Sequence, residues 1–313
     1  MKTTLNFNNI NKLSTPTWSW LKMNSVSLSL ECEKIITEEK LITTKKGEKR
    51  TEPVLINFDF KDGSSTSKIQ KIDLAQDSEL TLILNFTSSA LATGFSEIKT
   101  KINAAPNSKI HLIKTQLLGK NFVQIDNTEF HCADGAFADF TQIELGGQKV
   151  YAQVKTELAG YKSRFNSDTA YIAEKNQLLD MNYESIHTGA LTDTKMTVKG
   201  TVAGEANKTY RGTIDFKRGC AGATGDEQEE TLLLSPNAVN KSIPIILCDE
   251  EDVSGTHGAT LGRLGEEELF YFESRGISEQ QAKQMMKTAK VLAAANLIPD
   301  SDTVQRITDF LGL

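Results

Sequence analysis

From Val26 to about Leu247 the chain alternates apolar and polar positions in short runs, and no long helical period interrupts them. Val26–Leu30, Leu80–Leu84, Ile110–Ile113, Thr128–His131 and Met196–Val198 each predict a strand of roughly five residues, because side chains along a strand face opposite sides in turn. After Gly276 the period changes to that of a helix. Ser278 and Gln281 form a capping box, Ile277 is placed to staple it, and Ala282, Met285, Met286, Ala289, Leu292 and Ala293 recur at helical spacing. Asn296 and Pro299 end that helix. A second, from about Ser301 or Asp302, sets Val304, Ile307, Phe310 and Leu311 on one face.

One motif recurs among the strands: Asn or Asp, then Ser or Gly, any residue, then a large apolar one. It stands at Asp77–Leu80, Asn107–Ile110 and Asp134–Phe137, with starts 30 and 27 residues apart, and Asn176-Gln177-Leu178 echoes it weakly. A turn residue before a strand at such a period is what stacked β-coils need, since each coil buries its apolar side chains only against its neighbours. A β-sandwich also yields many short strands. Three segments result: an N-terminal arm over 1–25 carrying Pro16-Thr17-Trp18-Ser19-Trp20, a β-rich core over 26–265, and a helical segment over 266–313 that docks on the end of the core or on a partner.

Composition narrows the function. Thirty-five basic and 41 acidic residues are mixed along 313, for a net charge of −6, and the only basic knot is Lys45, Lys46, Lys49 and Arg50. That predicts no nucleic-acid partner. No apolar run nears the ~20 residues that cross a bilayer, and the start lacks a signal-peptide core, so no membrane partner and a cytoplasmic location are expected. Cys32, Cys132, Cys220 and Cys248 contain no C-x-x-C pair, which excludes a self-contained zinc or cluster site. His131 and Cys132 are neighbours on opposite strand faces and form no ligand pair. His111 and His187 read as ordinary strand histidines. Gly219–Gly225 is glycine-rich but has no G-K-[ST] ending, so no phosphate loop is present. Asp226–Glu230 reads as a solvated acidic turn.

The richest chemistry lies between Ile243 and Gly276. An apolar run ends at Cys248, the acids Asp249, Glu250, Glu251 and Asp252 follow, and Gly255 and Gly258 flank Thr256 and His257 in what reads as a tight turn. A histidine so placed can bind a metal or carry a proton, or simply bond a backbone carbonyl.

His257-Gly258-Ala259-Thr260, Gly262, Leu264, Leu269-Phe270-Tyr271 and Ser274-Arg275-Gly276-Ile277 together resemble the C-terminal signature of the SufB/SufD family in its SufD-like form. Arg211–Pro244 and the P-x-W-x-x-L-K-x-N run from Pro16 to Asn24 are also similar. The resemblance implies a right-handed parallel β-helix and a non-enzymatic scaffold subunit of SUF iron–sulfur cluster assembly. It further implies a SufC-like ABC ATPase docked on the C-terminal helices, with Met285, Met286 and Leu292 as anchors, and a SufB-like chain or a second copy paired through the β-helix. Such a scaffold holds no cofactor stably; a transient cluster forms at the subunit interface, where the matching histidine is His257. Cys248, Glu250 and Glu251 are the nearest residues able to assist. Where several relatives carry a cysteine two residues before that histidine, this chain has Gly255. An alternative from another class is a β-helix carbohydrate-active enzyme using the clustered acids Asp249–Asp252.

Overall fold

The computed structural model describes residues 3–17, 22–32 and 35–313, so the Trp18–Leu21 pattern falls outside the described residues. In chain order the strands are β1 (Thr3–Ile10), β2 (Val26–Cys32), β3 (Ile36–Thr43), β4 (Val54–Phe60), β5 (Ser64–Leu74) and β6 (Glu79–Ser88). They continue with β7 (Thr93–Ala104), β8 (Lys109–Leu118), β9 (Asn121–Cys132), β10 (Phe137–Gly146), β11 (Lys149–Leu158) and β12 (Arg164–Ala173). Then come β13 (Leu178–His187), β14 (Asp193–Val202), β15 (Asn207–Phe216), β16 (Ala223–Leu233), β17 (Val239–Cys248) and β18 (Val253–Arg263). Three helices follow, α1 (Glu266–Glu273), α2 (Glu279–Ala295) and α3 (Ser301–Leu311).

From β3 onward the odd strands form one eight-stranded parallel sheet and the even strands another, so the chain climbs a parallel β-solenoid with two strands to a coil. The strands are 7 to 12 residues long, longer than the sequence runs suggested, because many inward positions are polar and hide the alternation. The recurring motif falls at the corner leading into the even sheet. Asp77, Asn107 and Gly135 adopt φ of 60°, 57° and 64°, and the Asn107 amide donates to Asp77 Oδ1 at 3.1 Å. The third copy is therefore shifted by one residue: Gly135, not Asp134, stacks on Asn107. Asn176-Gln177-Leu178 lies at the opposite corner, between β12 and β13.

Val26–Leu30 does not belong to the solenoid, which starts at Ile36 rather than Val26. β2 pairs antiparallel with β1, and Ile10 and Leu28 pack with Phe95, Ile125 and Tyr151 on the outer face of the odd sheet. Asn11 and Met23 also meet that face: Asn11 Nδ2 donates to Asp180 Oδ1 at 2.6 Å, and Arg211, 1% exposed, donates to Asp180 at 2.7 Å and to the Met23 carbonyl at 2.7 Å.

The helical segment is also placed differently from expectation. It folds back along the side of the solenoid rather than over its end. Val291, Ala295, Ile298 and Ile307 pack on Ile83, Ile113, Ile143 and Ala170, which face outward from the even sheet. The capping box of Ser278 and Gln281 forms as the pattern predicts. The buried side of α2 is however Ala282, Thr288, Val291 and Ala295, so Met285 faces solvent and Met286 and Leu292 are half-buried. Helix also starts earlier than Gly276, since Glu266–Glu273 forms α1 with no buried residue and with Phe270 and Tyr271 71% and 56% exposed.

The lumen is not uniformly apolar. Lys114 donates to Asp126 at 2.6 Å and to Thr128 at 2.7 Å, and Lys208 pairs with Glu229 one cluster further along. Charges this deep require such partners.

Candidate functional site

Parallel strands in register stack like side chains on one another, and one such inward ladder leads to His257. It runs Val54, Leu82, Leu112, Phe140, Ser167, Met196, Glu227 and His257. Each rung but the last is covered by the next. His257 belongs to β18, the last strand of the even sheet, and β17 is the last of the odd sheet, so this coil leaves two unpaired strand edges and an open core. The inward positions of β18 are therefore exposed, His257 among them. The expectation of a tight turn at Gly255–Gly258 is corrected: these are strand residues. Gly255 is glycine for space, since a Cβ there would come within 2.9 Å of the Phe216 ring and 3.3 Å of Ile246 Cδ1. A cysteine at that position would not fit without moving Phe216.

Cys248 ends β17, stacked on Phe216, and is exposed. Its Sγ donates to the Glu250 carbonyl at 3.1 Å. Glu250 accepts backbone N–H groups of Gly219 at 2.8 Å and Glu251 at 3.0 Å, and these bonds hold its carboxyl below the usual carboxylate range. Glu251, Asp249 and Asp252 are exposed in the same corner turn. The structure thus joins Cys248 to Glu250 but sets His257 four residues into the next strand, about 13 Å along β18 from Val253. Among the described residues no group of three His, Cys, Asp or Glu side chains could close around a metal ion. A carboxylate occupied by two backbone donors is a fixed anion rather than a proton donor, which weighs against paired-acid glycoside chemistry in that turn.

The acidic run Asp226–Glu230 supplies what the sequence reading missed. It is not a solvated turn but part of β16, with Glu227 and Glu229 directed inward and 2% and 3% exposed. Glu229 is engaged by Lys208 and by the Thr231 and Ser242 hydroxyls. Burial, then the neighbouring Glu229 charge, push the Glu227 carboxyl up to about 8. The signal was available as alternation within the run, but only the register shows that Glu227 lies under His257.

The other histidines lie on earlier coils, and of the other cysteines Cys220 lies at this corner, where burial and then the Glu250 charge push its thiol up. His131 is exposed beside Glu157 at 3.1 Å while Cys132 is buried on the opposite face, with burial pushing its thiol up to about 12. His187 is buried, bonded through Nδ1 to Thr192 at 2.8 Å. Cys32 and Cys220 are buried.

Residues 60–290 match the family model described as "SUF system FeS cluster assembly, SufBD core domain". Over 277 residues the chain is 24% identical to the iron-sulfur cluster assembly protein SufD of Escherichia coli, covering 87% of this chain and 65% of that protein. It is 26% identical to SufD of Bacillus subtilis over 46% of this chain, and 27% identical to SufB of the same organism over 50%. The match spans 33% of each Bacillus protein. No described helix is long and apolar enough to cross a membrane.

Proposed function

Because this chain belongs to the SufBD core family of SUF iron–sulfur cluster assembly, we propose that it is a non-enzymatic scaffold on which clusters form at the open coil of β17 and β18. The observation that carries this reading is His257, exposed on the inward face of a strand that no other strand among the described residues covers. An uncovered parallel edge is a template for another chain. A SufB-like scaffold, or a second copy, fits there, bringing its own ligands beside His257. One neutral imidazole from this chain, with further groups from the partner, accounts for a site that is not closed within the chain. The cluster is cargo, made and passed on. Cys248 and Glu250, at the exposed corner of the same coil, are placed to assist from its rim.

The second partner we propose is a SufC-like ATPase on the helical segment. Met285, half exposed at 50%, and Phe270 and Tyr271 of α1 offer apolar side chains that the solenoid does not use. Met286 and Leu292, half-buried, border the same helix face.

The test is His257→Ala in the complex purified from its own cells. Folding and partner co-purification should be retained and the cluster assembly rate should fall at least tenfold. An unchanged rate would remove His257 from the mechanism.

A further inference from the structure

Glu227 stands directly beneath His257 as its in-register neighbour on β16, one strand separation of about 4.8 Å away, with both side chains on the inward face. It is 2% exposed, and neither carboxyl oxygen makes a well-formed hydrogen bond. A buried carboxyl oxygen left unpaired loses its hydration without replacement, so a strand register that retains one there calls for a partner. To the sides, Glu229 is held by Lys208, while the Tyr210 hydroxyl, itself without another partner, lies beside the carboxyl and can take one of its oxygens, which leaves the other for a group on the open side. Gly212 leaves the carboxyl room, since a Cβ there would come within 2.9 Å of Glu227 Cδ. On the open side the residues flanking His257 on its face are Gly255 and Ala259, too small to hold the imidazole off. The ring can turn down onto the carboxyl by rotation of its own side chain.

We propose that Glu227 is the positioning residue for His257. It accepts one imidazole N–H, fixes the tautomer, and leaves the other ring nitrogen facing the chain that covers the open coil. This rests on the reading of His257 given above. A carboxyl oxygen that accepts from a metal-binding imidazole in this way fixes the ring's orientation, and losing such a partner typically costs ten- to a hundredfold in metal affinity. The assignment adds, one coil below the histidine, an acid to those at the rim of the open coil.

The experiment uses the full chain, in the assembly in which it purifies, with ¹⁵N-labelled histidine and anaerobic cobalt(II) as the metal probe. In the unaltered chain His257 should be a single neutral tautomer; an equilibrating mixture there overturns the proposal whatever any variant does. Glu227→Leu should release the second tautomer and weaken cobalt binding about ten- to a hundredfold. Glu227→Gln, which keeps an acceptor oxygen, should restore the tautomer and most of the affinity. A folded Glu227→Leu chain with unchanged tautomer and affinity refutes the role of Glu227. If His257→Ala also leaves cobalt binding and cluster assembly intact, the reading of His257 fails too; if only His257→Ala has an effect, Glu227 alone is excluded.

Discussion

Lys114 and Asp126, 1% and 3% exposed inside the solenoid, illustrate how single residues set the stability of this fold. Their mutual contact at 2.6 Å offsets a large desolvation cost, so removing one partner is worse than removing both. Lys114→Met should destabilise the chain by about 3–5 kcal/mol, and adding Asp126→Leu should recover most of it, measured by denaturant unfolding. Buried titratable groups also set the pH range. Burial lowers His187 to about 4, so between there and about 6.5 the unfolded chain binds a proton that the folded chain does not. Stability is therefore lost as pH falls through that window. Glu144 is raised to about 8 by burial, then by Asp126, and Glu227 to about 8 by burial, then by Glu229. Their carboxyls stay protonated in the fold while unfolded ones ionise, so stability is full below about 4.5 and is lost as pH rises toward 8. The two windows overlap between about 4.5 and 6.5, where the two carboxyls outweigh the one histidine, so these groups should make stability fall as pH rises from about 4.5 toward 8, each contributing at most about 1.4 kcal/mol per pH unit. His187→Gln should steepen the fall between about 4.5 and 6.5 and Glu144→Gln should flatten it throughout, read by denaturant unfolding across that range; a profile that both variants leave unchanged would show that other groups control it.

At the scale of the element, the corner turns decide the coil spacing. Asp77 and Asn107 accept a left-handed backbone because a short polar side chain can bond locally there, and Gly135 accepts it for lack of a Cβ. Gly135→Ala should cost about 1–2 kcal/mol, and Gly135→Asn roughly half as much, since asparagine tolerates the conformation its neighbour Asn107 already adopts. Equal losses for both would point instead to crowding against Asn107 Oδ1, which a Cβ at Gly135 would approach to 2.5 Å. Strand β18 makes the converse case. Two glycines around a histidine look like a turn, yet Gly255 is needed only because Phe216 and Ile246 fill the coil below it.

For the whole molecule, the helical segment covers the even sheet and leaves Met285 facing solvent. Ending the chain after Gly276 would bare Ile83, Ile113 and Ile143, each fully buried now, and expose an apolar strip along the even sheet. That truncation should lower the melting temperature and cause aggregation rather than leave a clean solenoid. The docking role is better tested with Met285→Asp, which changes a side chain 50% exposed. It should abolish ATPase co-purification with melting unchanged; normal co-purification would place the ATPase elsewhere.

The turn motif repeated at coil length left solenoid and sandwich both open, and the resemblance to the SufB/SufD family selected the solenoid; the capped helix from Ser278 was determined by the sequence itself, because a helix cap is local physics that a few residues settle. The sequence also placed His257, through resemblance, at the residue where the structure finds an exposed histidine. It could not reveal that Asp226–Glu230 is a strand with acids facing inward, since a charged residue is stable in the lumen only when Lys208 or another partner arrives from a distant coil. Nor could it tell which side of α2 is buried, because Thr288 and Val291 face the even sheet while the more apolar-looking Met285 faces solvent. Glu227 and His257 are 30 residues apart along the chain and adjacent across one strand separation, and only the stacking of coils makes them neighbours.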